Sequence, residues 1–124
     1  MIGRLRTFLG CEAAAFGLAA LTHAGALFDG HKHRDAAIAE SVITLVLLAG
    51  LAMSLARPER TRAAALGTQG FALALTCVGI FTIIVGVGPR SAADVVYHIC
   101  IVGVLIWGLL TARSASAPRS PLHA

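Results

Sequence analysis

Four apolar runs, each close to the length that crosses a bilayer, dominate the chain and decide the solvent in which it folds. They cover about residues 5–28, 36–56, 63–88 and 92–112. A membrane-spanning helix needs about 20 mostly apolar residues. Lipid offers the backbone no hydrogen-bond partner, so each run must satisfy its own amides and carbonyls, which a helix does. The alternating pattern of a membrane β-barrel is absent. Of the 124 residues, 57% are hydrophobic and 13% charged, whereas a soluble domain averages about 25% charged. A small soluble domain buries only about 60–70% of its surface, too little to hide so much apolar area from water. The expectation is an all-α, integral-membrane four-helix bundle forming a single domain over residues 1–112. Residues 113–124, rich in Ser, Pro and Ala, read as a flexible cytoplasmic tail.

The breaks between runs carry their own signals. Residues 57–62, RPERTR, are charged and contain Pro58, which cannot sit inside a helix. Residues 86–94, GVGPRSAAD, place Pro89 beside glycines, a turn signal. Ser91 suits the N-cap of the fourth helix and Asp94 its first turn, and Asp35 is expected to cap the second. With four spans the chain ends and the second loop share one side. Arg4, Arg6, Arg57, Arg60, Arg62, Arg113 and Arg119 lie there, seven basic residues against three (Lys32, Arg34, Arg90) on the other. The positive-inside rule then puts both termini in the cytoplasm and the loop FDGHKHRD outside. The net charge of +4 is concentrated at segment ends, so it reads as topology and gives no reason to expect nucleic acid.

Cys11, Cys77 and Cys100 each fall inside an apolar run, without a CxxC pair or a disulfide framework. LGC at residues 9–11 lacks the preceding apolar stretch of a lipoprotein signal, and Glu12 interrupts the first run early. That run is therefore expected to be a retained helix. Small residues form stripes, Ala13, Gly17, Ala20 and Ala24 in the first run and Gly67, Gly70, Gly79 and Gly86 in the third. Such positions let membrane helices approach closely, and they favour a homo-oligomer or a place in a larger membrane complex. The segments beginning at Arg34 and Arg90 resemble each other weakly, as a two-helix unit used twice would.

Ionisable residues within spans are costly and mark sites. At about 1.5 Å per residue, His23, Glu40, Asp94 and His98 all fall roughly 3–11 Å from the outer surface. Asp94 and His98 are spaced i, i+4 and share a helix face. His23 lies on the stripe of Phe16 and Glu12, and Thr44 sits one turn below Glu40. Two imidazoles and two carboxylates in one layer have the composition of a transition-metal site for zinc, copper or iron. His31 and His33 are further ligands from the loop, Tyr97 and Thr44 supporting hydrogen-bond partners, and Glu12 a separate intramembrane acid expected to bond Arg6 or a neighbouring helix. Other readings keep the residues and change the ligand: His23 and His98 as axial ligands of haem b, or a His–Asp pair on a quinone head group. A non-catalytic reading makes the cluster a hydrogen-bond network in an accessory or assembly subunit, and a proton relay through Glu12 and Glu40 would need an oligomer. The motifs GxSxG, GxGxxG and the Walker loop are absent, and whether the chain is an enzyme is left open.

Overall fold

The computed structural model describes residues 1–115. Four helices pack side by side in chain order: α1 (Ile2–His23), α2 (Arg34–Ala56), α3 (Thr61–Val85) and α4 (Ala92–Ser114), with one 3₁₀ turn, Pro58–Arg60, between α2 and α3. All four are long and apolar enough to cross a membrane. Consecutive helices are neighbours, α4 returns to α1 along a thinner seam, and α1 also touches α3 across the diagonal. The histidine-rich loop (residues 24–33) and residues 86–91 close one end. The turn at 57–60 and the start of α1 lie at the other, the arginine end. Residues 116–124, most of the expected tail, lie outside the described residues, and α4 itself takes in Arg113 and Ser114.

The packing inverts the pattern of a soluble bundle. Leu18, Leu45, Leu55, Phe81, Ile84, Ile99 and Leu110 point outward, each more than half exposed, while Glu12, His23, Glu40, Ser54, Thr61, Gln69, Thr76 and Asp94 are buried. Water would penalise such an apolar exterior, and lipid accepts it. Cys11, Cys77 and Cys100 are also on the outer surface. Inside, Leu5, Leu9, Phe16, Leu47 and Leu105 make the apolar core between polar layers.

The arginine end is fastened by side chains. Arg6 Nε donates to Ser54 Oγ at 2.9 Å and its Nη2 to the Ser54 carbonyl, and Ser54 Oγ meets Thr61 Oγ1 at 2.8 Å. Arg62 Nε reaches the Ala112 carbonyl at 3.2 Å. Arg6 is thereby taken by α2, not by Glu12. Trp107 packs edge-on against Phe8 at 5.5 Å, tying α4 to α1.

At the other end the helices stop through backbone geometry that hydropathy does not see. α1 ends at His23, five residues short of the apolar run. Gly25 takes φ +77°, and its amide and that of Ala26 bond the Thr22 and Leu21 carbonyls at 3.0 and 2.9 Å. This is the paired-bond ending that a left-handed glycine permits. α3 ends in the same way at Gly86, with φ +88°. The cap of α2 is His33, whose Nδ1 accepts from the Ala36 amide at 3.3 Å; Asp35, expected in that role, sits in the first turn. Ser91 caps α4 as anticipated, in a reciprocal box with Asp94.

The small-residue stripes divide by contact. A Cβ at Gly17 would rest on the Thr44 methyl, whereas one at Gly67 or Gly70 would have nothing within 4 Å. A Cβ at Gly50 would lie 2.6 and 2.8 Å from both branches of Thr68 and 3.2 Å from its Cβ, so rotation of Thr68 gives no relief. Gly50→Ala is expected to destabilise the bundle by about 1–3 kcal/mol through overpacking. Gly70→Ala is expected to be neutral or to gain up to about 1 kcal/mol. Thermal unfolding of the two variants in detergent, followed by circular dichroism, checks the contrast.

Candidate functional site

The last residue of α1 holds two neighbouring helices at once. His23 Nδ1 lies 2.7 Å from Glu40 Oε2 on α2, and its Nε2 lies 3.0 Å from Asp94 Oδ1 on α4. All three side chains are buried, His23 at 4% exposure. Each partner is placed by local structure. His23 closes the α1 C-terminus, where a positive charge meets the negative end of the helix dipole. Asp94 lies in the first turn of α4, where the dipole favours a negative charge. The second oxygen of Asp94 accepts from the Ser91 amide at 2.9 Å and from the Ser91 hydroxyl, so its side chain is held at both ends. Glu40 sits near the start of α2.

A hydrogen bond needs one proton between its two heavy atoms. Two contacts therefore require two protons shared among one imidazole and two carboxyls. Whether both sit on the ring or one sits on a carboxyl, the triad carries one net negative charge. Removing a proton would set a ring lone pair against a carboxylate and open one contact. The arrangement is thus a proton-holding group whose hydrogen-bond pattern changes with occupancy.

Three of the four residues expected in one layer are brought together, and His98 stands apart. Its Nδ1 bonds the Asp94 backbone carbonyl one turn back at 2.7 Å, and its Nε2 lies 3.4 Å from the Cβ position of Gly79 on α3. The Tyr97 ring packs edge-on against His98 and Phe16, and its buried hydroxyl has no partner among the described residues. Thr44 bonds the Glu40 carbonyl of its own helix at 2.7 Å and does not touch the carboxylate. His33 is a structural tie: besides capping α2, its Nε2 meets the Val87 carbonyl at 3.2 Å, and its amide bonds the His23 carbonyl at 2.8 Å. His31 is exposed in the loop.

The triad separates two clefts. One, of about 560 Å³, opens along the α1–α4 seam and is lined by Ala15, Ala19, Phe28, His31 and Ala93, with His23, Asp94 and Tyr97 as its polar wall. The other, of about 190 Å³, lies between α2, α3 and α4 and carries Glu40, His98 and Thr82.

Among the described residues no group of three or more His, Cys, Asp and Glu side chains is arranged to hold a metal ion. Both His23 nitrogens face carboxylates, and His98, whose Nδ1 bonds a backbone carbonyl, makes no hydrogen bond to the triad. Glu12 is also separate: both its oxygens lie 3.0 Å from Gln69 Nε2 on α3, which is the neighbouring-helix partner of the two expected for it. Gln69, and the hold of Ser91 on the triad, lie outside what the sequence reading anticipates. A primary amide in the middle of an apolar run is the available signal for Gln69.

No family model, curated protein or solved structure matches the chain.

Removing His23 leaves two buried carboxylates without their shared partner. His23→Ala is expected to cost about 3–5 kcal/mol, as for other broken buried pairs. Replacing His23, Glu40 and Asp94 together by leucine is expected to recover most of that loss. Unfolding of both variants by a denaturing detergent titration measures the difference.

Proposed function

We propose that this small polytopic membrane protein binds the head group of a membrane-soluble hydroxyl or carbonyl compound, of the quinol or quinone type, and exchanges a proton with it. One observation carries the reading: the His23–Asp94 contact lines a largely apolar cleft between α1 and α4, to which Thr22, His31 and Tyr97 add the other polar side chains. Ligand sites commonly take this form, an apolar pocket of about 300–1,000 Å³ with a few convergent polar groups. The small side chains of Ala15, Ala19 and Ala93 leave room for a ring, and Phe28 and Tyr97 offer aromatic faces. In this mechanism a ligand hydroxyl gives its proton to the Asp94 carboxylate, whose bond to His23 Nε2 then changes. The second His23 contact passes the change in occupancy to Glu40, on the side of the smaller cleft. The site is complete within one chain, since α1, α2 and α4 supply it.

Transition metals and haem b fit these residues less well. His23 has both nitrogens engaged and offers no lone pair, and His98, whose Nε2 has no hydrogen-bond partner among the described residues, makes no hydrogen bond to the carboxylates that would complete a ligand set. The accessory-subunit reading shares the geometry but gives the triad no task beyond joining helices. A thermal-shift titration with a short-chain benzoquinol and its quinone separates these readings. Stabilisation of the wild type by about 2.7 kcal/mol at a hundredfold excess over Kd is expected, with none in the triple leucine variant or in Asp94→Asn. Roughly stoichiometric metal in the purified protein, lost in His23→Ala, would sink the quinol reading in favour of a metal site. A Soret band would do the same for haem.

The cleft faces the outer side of the cytoplasmic membrane in this reading. Arg4, Arg6, Arg57, Arg60, Arg62 and Arg113 mark the opposite end, against Lys32, Arg34 and Arg90 here. In a variant lacking the native cysteines, Asp29→Cys is expected to react with an impermeant maleimide on intact cells. Glu59→Cys is expected to react only after permeabilisation, and the reverse pattern would invert the orientation.

A further inference from the structure

A second group of buried polar atoms lies deeper in the bundle and takes no part in the triad. Glu12 and Gln69 are both fully buried, at 0% exposure. At about 1.5 Å per residue they lie roughly 12–15 Å from the arginine-end termini of their helices, well inside the hydrocarbon layer. Gln69 Nε2 sits 3.0 Å from each Glu12 oxygen, and Gln69 Oε1 has no partner among the described residues. The pair fills space that α4 leaves open at Gly108, where a Cβ would collide with Gln69 Nε2 and come within 2.8 Å of Glu12 Oε1.

The atoms do not balance as an ionised pair. Three acceptor oxygens, two on the carboxylate and one on the amide, face the two N–H groups of one nitrogen, and the amide oxygen is left without a donor. Among the described residues no cation pairs with Glu12. Other titratable or charged groups are turned elsewhere: Arg6 to Ser54, Arg62 to the Ala112 carbonyl, and Cys11 to the outer surface. At this depth α2 brings Leu47 and Leu51 to the core, α3 brings Gln69, and α4 brings the bare Gly108. A lone carboxylate in such surroundings is among the most unfavourable groups a membrane interior can hold.

One added proton resolves both faults. It removes the charge, and it creates the O–H donor that Gln69 Oε1 lacks. A carboxyl and a primary amide are complementary: the amide N–H donates to one carboxyl oxygen while the carboxyl O–H donates to the amide oxygen. Reaching that pairing takes a turn of the Gln69 amide about its last torsion. We propose that Glu12 and Gln69, seated against Gly108, form a proton-binding site inside the membrane, distinct from the triad. Ala13, Phe16 and Ala20, the buried residues of α1 between Glu12 and His23, carry no polar side chain, so α1 itself provides no hydrogen-bonded path from one site to the other.

Dicyclohexylcarbodiimide, which attacks protonated carboxyls from the lipid phase, tests this on the wild-type protein in liposomes. Peptide mass spectrometry is expected to find the adduct on Glu12, with labelling that falls about tenfold per pH unit above the midpoint of its titration. Infrared difference spectra are expected to show an un-ionised carboxyl band that shifts in D₂O. That band should vanish in Glu12→Gln, which keeps the shape and neutrality of the protonated pair, and persist in Asp94→Asn, so failure here leaves the triad reading untouched. Absence of both the adduct and the band across the pH range would overturn the proposal. So would protection from labelling by sodium or potassium at fixed pH, which would mark the pair as an alkali-cation site.

Discussion

The contact on which the upper half of this molecule depends is the double engagement of His23. Helices immersed in lipid gain little from the hydrophobic effect when apolar side chains meet, because the surrounding tails are equally apolar, so close packing and interhelical hydrogen bonds hold them together. The polar contacts add direction to that packing. His23 does so for α1, α2 and α4 in one place, with Glu40 on one side and Asp94 on the other. The Arg6–Ser54–Thr61 cluster repeats the principle at the arginine end with α1, α2 and α3. Between these layers the core is leucine, phenylalanine and alanine, interrupted by Glu12 and Gln69. The sequence order and the polar layers together define a bundle that no pattern of apolar residues alone could specify.

The histidine-rich loop serves this arrangement more than it serves a ligand. His33 caps α2, meets the Val87 carbonyl of the other loop, and bonds the His23 carbonyl through its backbone. The loop thus holds the starting point of α2 against the end of α1, which fixes the height of Glu40 relative to His23. Asp94 receives the matching treatment from Ser91. His23 and Asp94 sit at helix termini, where capping bonds constrain the backbone most, while Glu40 lies nearly two turns inside α2.

Much of this is legible in the residues. Four spans follow from hydropathy, and counting inward from the loops groups His23, Glu40 and Asp94, although the count for His23 starts from Phe28 and the structure ends α1 at His23 itself. What counting does not give is direction and partnership. His98 shares a helix face with Asp94, yet its ring turns to a backbone carbonyl and to Gly79, because the i−4 carbonyl is the nearest acceptor to a histidine in a dry helix. Hydropathy carries α1 too far because residues 24–28, AGALF, are as apolar as the helix before them. Only the left-handed glycine at 25 distinguishes loop from span. Gln69 escapes because attention to charge passes over an amide, although in lipid an amide is nearly as conspicuous.

The seam between α1 and α4 differs in kind from the other three. Successive helices are joined by loops and cannot part by much, whereas the first and last are held only by side chains, chiefly the His23–Asp94 contact and the Phe8–Trp107 stack. The larger cleft lies on that seam. In the proposed function, a quinol-type molecule reaching it would travel in the plane of the bilayer. Occupancy would then follow mole fraction among the lipids and two-dimensional diffusion, so the composition of the membrane, more than that of the water around it, would set how full the cleft is.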